Sequence, residues 1–343
     1  MHRKISFLSR SSVLMLSFVA ALAIALPPSV GAQGFTTVYS FPGGTQGAYP
    51  YAGLIQGVGG NLYGTTNGGG AFHRGTVFGF SKKSKTYVAY SFSKPPDGGY
   101  PFGSLFQDEL GSLYGVTPEG GIAGHGTVFR VDKGGKETIL HKFTGHPDGS
   151  NPYGSLIEVS GVLFGTTFNG GATAHGTIFK LDKKGAETIL HNFISFVDGD
   201  GAYPYGGLTA GVDGTIYGTT VYGGIGGCFV GCGSVFKLDK KGDVTTLYSF
   251  TGGEDGIYPY AGVVPDASGN LYGTTSQGGT GGFGTVFKVD ADGVETVLYN
   301  FAGGTDGSYP YAGVILDSSG NIYGTTLYGG ASGYGTVFEL GIL

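Results

Sequence analysis

The stretches Leu271-Tyr272-Gly273-Thr274-Thr275 and Gly284-Thr285-Val286-Phe287 decide the fold, because near copies of both recur six times in a chain of 343 residues. Copies of the first motif end at Thr66, Thr117, Thr167, Thr220, Thr275 and Thr326. Copies of the second motif end at Phe78, Phe129, Phe179, Phe236, Phe287 and Phe338. A period of about 50 residues that holds through separate markers indicates propeller blades or a similar repeat array.

Each repeat contains four short segments with the composition of β-strands. In the fifth repeat these segments are residues 260–265, 270–275, 284–289 and 295–301, and Asp-rich and Gly-rich turns separate them. Four strands per repeat is the number found in a propeller blade. Val, Tyr, Phe and Thr fill the segments almost continuously, which favours strands that are covered on both faces by neighbouring blades.

The phase of the repeat predicts how the array is closed. A third marker, an aromatic residue or His followed by a polar residue and Phe, begins the series at Phe41, so the chain enters the repeat at a fourth strand, residues 36–41. The last repeat stops after its third strand, residues 335–340. We therefore predict an all-β, six-bladed β-propeller of four-stranded repeats of about 51 residues, in which the N-terminal strand completes the last blade.

The composition excludes several classes of protein. The 72 Gly and 14 Pro residues resemble a low-complexity chain, but aromatic residues make up 14% and charged residues only 13%, so the chain has ample material for a core. Apart from the N-terminus, no stretch approaches the roughly 20 apolar residues of a membrane span. We therefore expect a folded chain without a membrane span.

The N-terminus has the layout of a secretory signal. Basic residues precede an apolar run at residues 13–26, and the small-residue site Val30-Gly31-Ala32 follows Pro27 and Pro28. This pattern predicts a signal peptide at residues 1–32, a single propeller domain at residues 33–343, and a secreted or cell-surface protein. Removal of the signal leaves 16 basic and 24 acidic residues, so we expect no nucleic-acid partner.

The repeat also resembles a known family. Units such as Tyr258-Pro259-Tyr260, followed by the two motifs above, are similar to the GloVer tandem repeat of secreted bacterial proteins, and the resemblance covers essentially all of the secreted chain. It implies an exported protein that is surface-associated or released, and it brings no established biochemical activity. Residues 266–272 also resemble NHL-type propeller repeats, at the level of the fold only.

The loop that enters each blade supplies the main candidates for ligand binding. It reads Asp-Gly-x-Tyr-Pro-Tyr or similar, and aromatic rings together with carboxylates could hold a sugar or a peptide. The candidate residues are Tyr100, Tyr203, Tyr258, Tyr309, Asp97, Asp255 and Asp306. The alternative interpretation is structural: an element found in every blade can equally serve as an Asp turn and as packing between blades.

The fourth repeat differs from the others through two loop insertions. The second insertion contains Cys228 and Cys232, which are the only cysteines and which we predict to form a disulfide in an exported protein. Phe229 lies between them, at the tip of a loop that breaks the symmetry of the array. This loop is the leading candidate for specific contact with a partner.

The motifs of common enzymes are missing from the sequence. There is no Gly-x-Ser-x-Gly elbow and no His-Glu-x-x-His pair, and His73, His125 and His175 lack adjacent acidic or thiol ligands. We therefore predict no catalytic residue, no metal site and no cofactor. The chain is expected to be a noncatalytic binding or scaffold module for an extracellular carbohydrate, protein or other polymer, with its oligomeric state left open. The alternatives are a lyase or hydrolase with its site at the central opening, and a purely structural surface protein.

Overall fold

The computed structural model describes residues 39–81, 85–182, 184–194 and 199–341. The predicted signal peptide and residues 36–38 of the predicted closing strand lie outside these ranges. The chain divides into a small unit, Met1–Ser40, and a main unit, Phe41–Leu343. Of the small unit only Tyr39 and Ser40 are described, and every strand discussed below belongs to the main unit.

The described part of the main unit contains five four-stranded antiparallel sheets and one three-stranded antiparallel sheet, which are the six predicted blades, and two short two-stranded ladders. Blade 1 contains Ile55–Gln56, Leu62–Thr66, Thr76–Ser81 and Lys85–Ser91. Blade 2 contains Phe106–Gln107, Leu113–Thr117, Thr127–Val131 and Glu137–Lys142. Blade 3 contains Ile157–Val159, Val162–Thr167, Thr177–Leu181 and Glu187–Asn192.

The remaining blades follow the same order of strands. Blade 4 contains Thr209–Ala210, Ile216–Thr220, Ser234–Leu238 and Val244–Ser249. Blade 5 contains Val264–Pro265, Leu271–Thr275, Thr285–Val289 and Glu295–Asn300. Blade 6 contains Ile315–Leu316, Ile322–Thr326 and Thr336–Leu340. Two short ladders join Gly98–Gly99 to Glu119–Gly120 and Gly149–Ser150 to Asn169–Gly170, and Gly44–Gln46 forms a 3-10 turn.

The two recurrent motifs are linked by a contact inside each blade. Gly273 on the second strand lies opposite Phe287 on the third, and a Cβ atom at Gly273 would lie 2.6 Å from the Phe287 ring. The motifs also share a buried hydrogen bond, which joins the Thr275 and Thr285 hydroxyls at 2.8 Å. The same Gly–Phe register recurs in all six blades, so the spacing of the motifs is a packing requirement.

Phenylalanine pairs hold neighbouring blades together. The fourth-strand Phe250 of blade 4 meets Phe287 of blade 5 edge to face, with ring centroids 5.0 Å apart. The equivalent pairs are Phe92–Phe129, Phe143–Phe179, Phe193–Phe236 and Phe301–Phe338. Burial of one such ring contributes about 2–3 kcal/mol. The buried residues form clusters that each join two adjacent blades.

The third strand of blade 6 has an uncovered outer edge in the described part of the chain. It pairs with the second strand alone, and Val337 is 82% exposed where the equivalent Val286 of blade 5 is fully buried. Tyr39–Phe41, the described end of the predicted closing strand, is not in a strand. Phe41 nevertheless meets Phe78 of blade 1 edge to face at 4.9 Å, which is the contact that a fourth-strand Phe makes elsewhere. Completion of blade 6 by residues 36–41 stays a prediction.

In the described ranges, no helix has the length and apolar character needed to cross a lipid bilayer.

Candidate functional site

Two sets of loops lie together on one face of the array, which we call the loop face. It is formed by the loops that enter each blade and by the loops between each second and third strand. Ala202 pairs with Tyr222, and Ile257 pairs with Gln277, so each entering loop is bonded to the second loop of the same blade. The two loops of each of these blades therefore lie side by side.

The aspartates of the entering loops accept hydrogen bonds from nearby groups of the protein. Asp255 is 8% exposed, and its carboxylate accepts hydrogen bonds from the Tyr248 hydroxyl at 2.9 Å and the Thr251 amide at 2.6 Å. Asp97 makes the same contacts with the Tyr90 hydroxyl and the Ser93 amide. Asp306, which is half-buried, accepts hydrogen bonds from the Tyr299 hydroxyl and the Ala302 amide. These carboxylates therefore close the turns between blades, and each has an oxygen atom that is already hydrogen-bonded within the protein.

The tyrosines singled out from the sequence join neighbouring blades through their backbone. Tyr100, Tyr203, Tyr258 and Tyr309 all have left-handed φ angles between 56° and 59°. The Tyr258 amide donates to the Cys232 carbonyl of blade 4, and the Tyr258 carbonyl accepts from the Ser276 amide of blade 5. A left-handed conformation is costly for a residue with a side chain, and these paired hydrogen bonds maintain it.

Their rings are half-buried against other aromatic rings. The Tyr203 ring lies 5.0 Å from Phe168, and the Tyr258 ring lies 5.2 Å from Tyr222. The guanidinium carbon of Arg74 lies over the Tyr100 ring, 4.8 Å from the ring centroid. These tyrosines therefore belong to the packing between blades, and they support a second set of rings.

That second set is a continuous row of aromatic side chains, one from each blade, which we call the aromatic row. Its members are Tyr51, Phe102, Tyr153, Tyr205, Tyr260 and Tyr311. Consecutive centroids are separated by 4.9, 5.7, 4.8, 5.6 and 4.9 Å, in that order. These rings are the second aromatic residue of the Tyr-Pro-Tyr motif and are not among the ligand-binding residues predicted from the sequence. The signal was present, since an aromatic residue stands at this position in every repeat.

The aromatic row is attached to the innermost segments of the blades. The residues that follow each ring contact the neighbouring blade directly: the Ser104 amide donates to the Ser155 hydroxyl at 2.9 Å. The Thr219 hydroxyl likewise donates to the Ala261 carbonyl at 2.8 Å. Close approach of these segments requires glycine, because a Cβ atom at Gly154 would lie 2.6 Å from the Gly206 carbonyl oxygen. The row is thus held on a rigid inner wall.

The row offers flat apolar surface together with hydroxyl groups that remain protonated. Burial, and then the neighbouring Tyr153, raise the pKa of Tyr205 to about 12. Burial and the Tyr222 side chain also raise the pKa of Tyr260. Exposure is greatest at the two ends, where Tyr51 is 62% and Tyr311 is 41% exposed. The row can therefore stack on a ligand and exchange neutral hydrogen bonds with it.

The insertion in the fourth repeat forms a loop closed by a disulfide. The sulfurs of Cys228 and Cys232 are 2.00 Å apart, and Cys232 is fully buried against the core of blades 4 and 5. Phe229 at the tip is fully exposed, and Ile225 is 81% exposed. The loop therefore presents apolar side chains from an anchored base.

Few groups in the described residues could hold a metal ion. The His125 ring nitrogen Nδ1 lies 2.9 Å from the Ser150 hydroxyl, and the His175 ring packs against Tyr203 at 5.5 Å. Among the described residues, one trio of His and carboxylate side chains has ligand atoms close enough to share an ion: His141, Asp148 and Glu187. This trio lies at the boundary of blades 2 and 3.

One solved structure with a TM-score above 0.5 supports the propeller fold. A gluconolactonase from Xanthomonas campestris is 14% identical over 86% of this chain and 87% of its own, with a TM-score of 0.51. A candidate 6-phosphogluconolactonase from Bacteroides uniformis is 17% identical over 82% of this chain and 81% of its own, with a TM-score of 0.49. Identities this low say nothing about activity in this chain.

The sequence itself matches a family of repeats. No curated protein matches the chain. The model of the Gloeobacter/Verrucomicrobia repeat matches residues 25–230 and 225–342, which agrees with the resemblance noted from the motifs. The chain therefore belongs to the Gloeobacter/Verrucomicrobia repeat family.

Proposed function

We propose that this protein is a secreted, noncatalytic binding or scaffold propeller, and that its aromatic row binds an extracellular neutral polysaccharide. The observation that carries the proposal is the row itself, in which six rings from six blades follow one another at contact distance. The apolar faces of sugar rings stack on aromatic rings, and sugar hydroxyls exchange hydrogen bonds with tyrosine hydroxyls.

The repetition of the row favours a polymer over a small molecule. Each blade presents the same kind of ring, so successive units of a polysaccharide can make similar contacts with successive blades. Weak contacts at several blades then add up to useful affinity. The acidic balance of the secreted chain, 16 basic against 24 acidic residues, disfavours an anionic polymer.

The exposed disulfide loop supplies the asymmetry that a repeated row lacks. Phe229 is the most exposed large apolar side chain of the described residues, and its loop occurs in one blade only. An exposed ring on an anchored loop is suited to one preferred orientation of the bound chain. We therefore assign specificity to this loop and most of the affinity to the row.

Titration calorimetry with soluble neutral polysaccharides tests the proposal. β-Glucan, galactomannan and dextran serve as probes, and alginate serves as the acidic contrast. Binding of at least one neutral polymer is expected, and Tyr51→Ala and Tyr311→Ala should each weaken it about tenfold through loss of one stacked ring. Tyr87→Ala is the matched control, because Tyr87 is 39% exposed but lies on the outer strand of blade 1.

Two results would contradict the proposal. The first is failure of every polysaccharide to bind a folded chain. The second is binding that the row variants leave unchanged while Tyr87→Ala weakens it. Release of new reducing ends from a bound polymer would instead support the enzyme alternative with a site at the central opening.

A further inference from the structure

The boundary between blades 2 and 3 brings together three metal-ligand side chains. His141 lies on the fourth strand of blade 2, and Asp148 lies in the loop that enters blade 3. Glu187 begins the fourth strand of blade 3. One ligand atom from each of these residues lies within 4.8 Å of the other two. The trio is assembled by the packing of two blades, so no sequence motif marks it.

Hydrogen bonds fix the orientation of two of the three groups. The Asp148 carboxylate accepts from the Gly149 amide at 2.7 Å and from the Thr144 amide at 3.0 Å. Its Oδ2 atom lies 3.1 Å from His141 Nε2. The His141 ring is packed edge to face against Phe143, with centroids 4.8 Å apart. Orientation of this kind reduces the rearrangement that metal binding needs.

Glu187 is the group whose environment calls for a partner. Its Oε1 atom is buried and accepts no hydrogen bond from the described residues, as is also true of Oε1 in the equivalent Glu137 and Glu295, but only Glu187 has an imidazole beside it. A buried carboxylate oxygen without a donor is unfavourable, and a bound cation would satisfy it.

At each of the other blade boundaries, the described residues lack at least one member of the trio. Tyr replaces His at four of them. Two of these keep both carboxyl groups, in Tyr90, Asp97 and Glu137 and in Tyr248, Asp255 and Glu295, and the other two carry Tyr39 and Tyr299. Val244 replaces Glu at the boundary of blades 3 and 4, where His191 lies 3.0 Å from Asp200. The combination of imidazole and two carboxylates is thus found at one boundary among the described residues.

The donor set indicates the class of ion. One imidazole nitrogen and two carboxylate oxygens suit Zn²⁺ and similar divalent transition ions. Zinc bonds of about 2.0–2.2 Å place neighbouring ligand atoms about 3.3 Å apart, close to the observed separation of His141 and Asp148. Their side chains are 18% and 15% exposed, so an ion and a water ligand can enter from solvent.

We propose that His141, Asp148 and Glu187 bind one Zn²⁺ ion, or a chemically similar divalent transition ion, at the boundary of blades 2 and 3. The ion joins the two blades through protein ligands from both of them. A fourth coordination position remains for water or for a ligand atom from outside. This site is distinct from the aromatic row and does not depend on the proposed function.

The test uses the secreted chain stripped with a chelator and titrated with Zn²⁺, and separately with Co²⁺ followed by visible absorption. One equivalent of Zn²⁺ should bind, and the melting temperature should rise with its concentration. His141→Tyr and Glu187→Val should each weaken binding at least tenfold. These replacements are the residues that other blades carry at the same positions, so the fold should tolerate them.

A variant that creates a second metal site provides a further test of the proposal. Val244→Glu supplies the missing carboxyl beside His191 and Asp200, and it should add a second equivalent of Zn²⁺. The proposal is overturned if the folded chain binds no Zn²⁺ or Co²⁺, or if His141→Tyr and Glu187→Val leave the stoichiometry and affinity unchanged. Polysaccharide titrations on the same variants separate this outcome from failure of the proposed function.

Discussion

At the scale of single residues, the aspartate that enters each blade shows why a repeated polar residue is ambiguous in a sequence. The motif Asp-Gly-x-Tyr-Pro-Tyr suits both a carbohydrate site and a turn. The structure uses the Asp97 and Asp255 carboxylates inside the protein, where each accepts hydrogen bonds from a tyrosine hydroxyl and a backbone amide. The second aromatic residue of the motif instead belongs to the aromatic row, for which we propose ligand binding.

Removal of one such carboxylate should cost substantial stability. Asp255→Ala removes the acceptor for the Tyr248 hydroxyl, the Thr251 amide and hydroxyl, and the Gly253 amide. We expect the free energy of unfolding in urea to fall by about 2–3 kcal/mol, because buried donors lose a charged partner. Asp292→Ala, on the exposed turn of the same blade, should change it by less than about 0.5 kcal/mol.

Glutamates at the starts of fourth strands should make stability depend on pH. Burial first, and then the nearby Asp97 or Asp255, raise the pKa of Glu137 and Glu295 from 4.5 to about 7. The folded protein therefore keeps protons that the unfolded chain releases near pH 4.5. The free energy of unfolding should fall as pH rises from about 4.5 to 7 and then level off.

The paired variant Glu137→Gln/Glu295→Gln tests this pH dependence. Glutamine imitates the protonated carboxyl, so urea unfolding of the variant should show a flatter dependence between pH 5 and 7, measured with a chelator present. Glu254→Gln, at an exposed position, should keep the slope of the original chain. Parallel curves for all three proteins would show that the two buried glutamates are not responsible.

At the scale of elements, the first strand of each blade is much shorter than its sequence suggests. Residues 260–265 predict a six-residue strand, whereas the ladder contains Val264–Pro265 alone. Residues 260–263 instead pack against neighbouring blades, as the bond from the Thr219 hydroxyl to the Ala261 carbonyl shows. Apolar residues in a short run cannot distinguish a ladder from such a packed segment.

A methyl group added to this inner wall should destabilise the array. Gly154→Ala places its Cβ atom 2.6 Å from the Gly206 carbonyl oxygen, which is backbone and cannot move aside easily. We expect a loss of about 1–3 kcal/mol in urea unfolding through overpacking. Gly253→Ala is the matched control, because the nearest atom is 3.8 Å from its added methyl group. Equal stability of both variants would mean that the inner wall is loosely packed.

At the scale of the whole molecule, closure of blade 6 decides whether the array has an uncovered strand edge. Val337 on its third strand is 82% exposed, and an uncovered strand edge invites pairing with another chain. The repeat predicts that residues 36–41 supply the missing strand. Phe41 already makes the contact with Phe78 that belongs to this position.

Hydrogen exchange measures this closure directly. In the chain from residue 33 onwards, the amides of Thr336–Leu340 should be about as protected as those of Thr285–Val289 in blade 5. Deletion of residues 33–40 should accelerate exchange in blade 6 and leave blade 5 as it was. Fast exchange of Thr336–Leu340 before the deletion would show that the predicted strand does not pair there.

The sequence by itself determined the number of blades and their repeat, because each Gly and Phe of the two motifs meets its partner within one blade. Contacts of this kind have a fixed separation along the chain, so they leave a period that can be read directly. Only the tertiary structure decided which aromatic residues form the row and that His141, Asp148 and Glu187 meet. Both depend on how one blade is placed against the next. The repeat marks an aromatic residue in every unit, but it does not show that the rings of neighbouring blades meet.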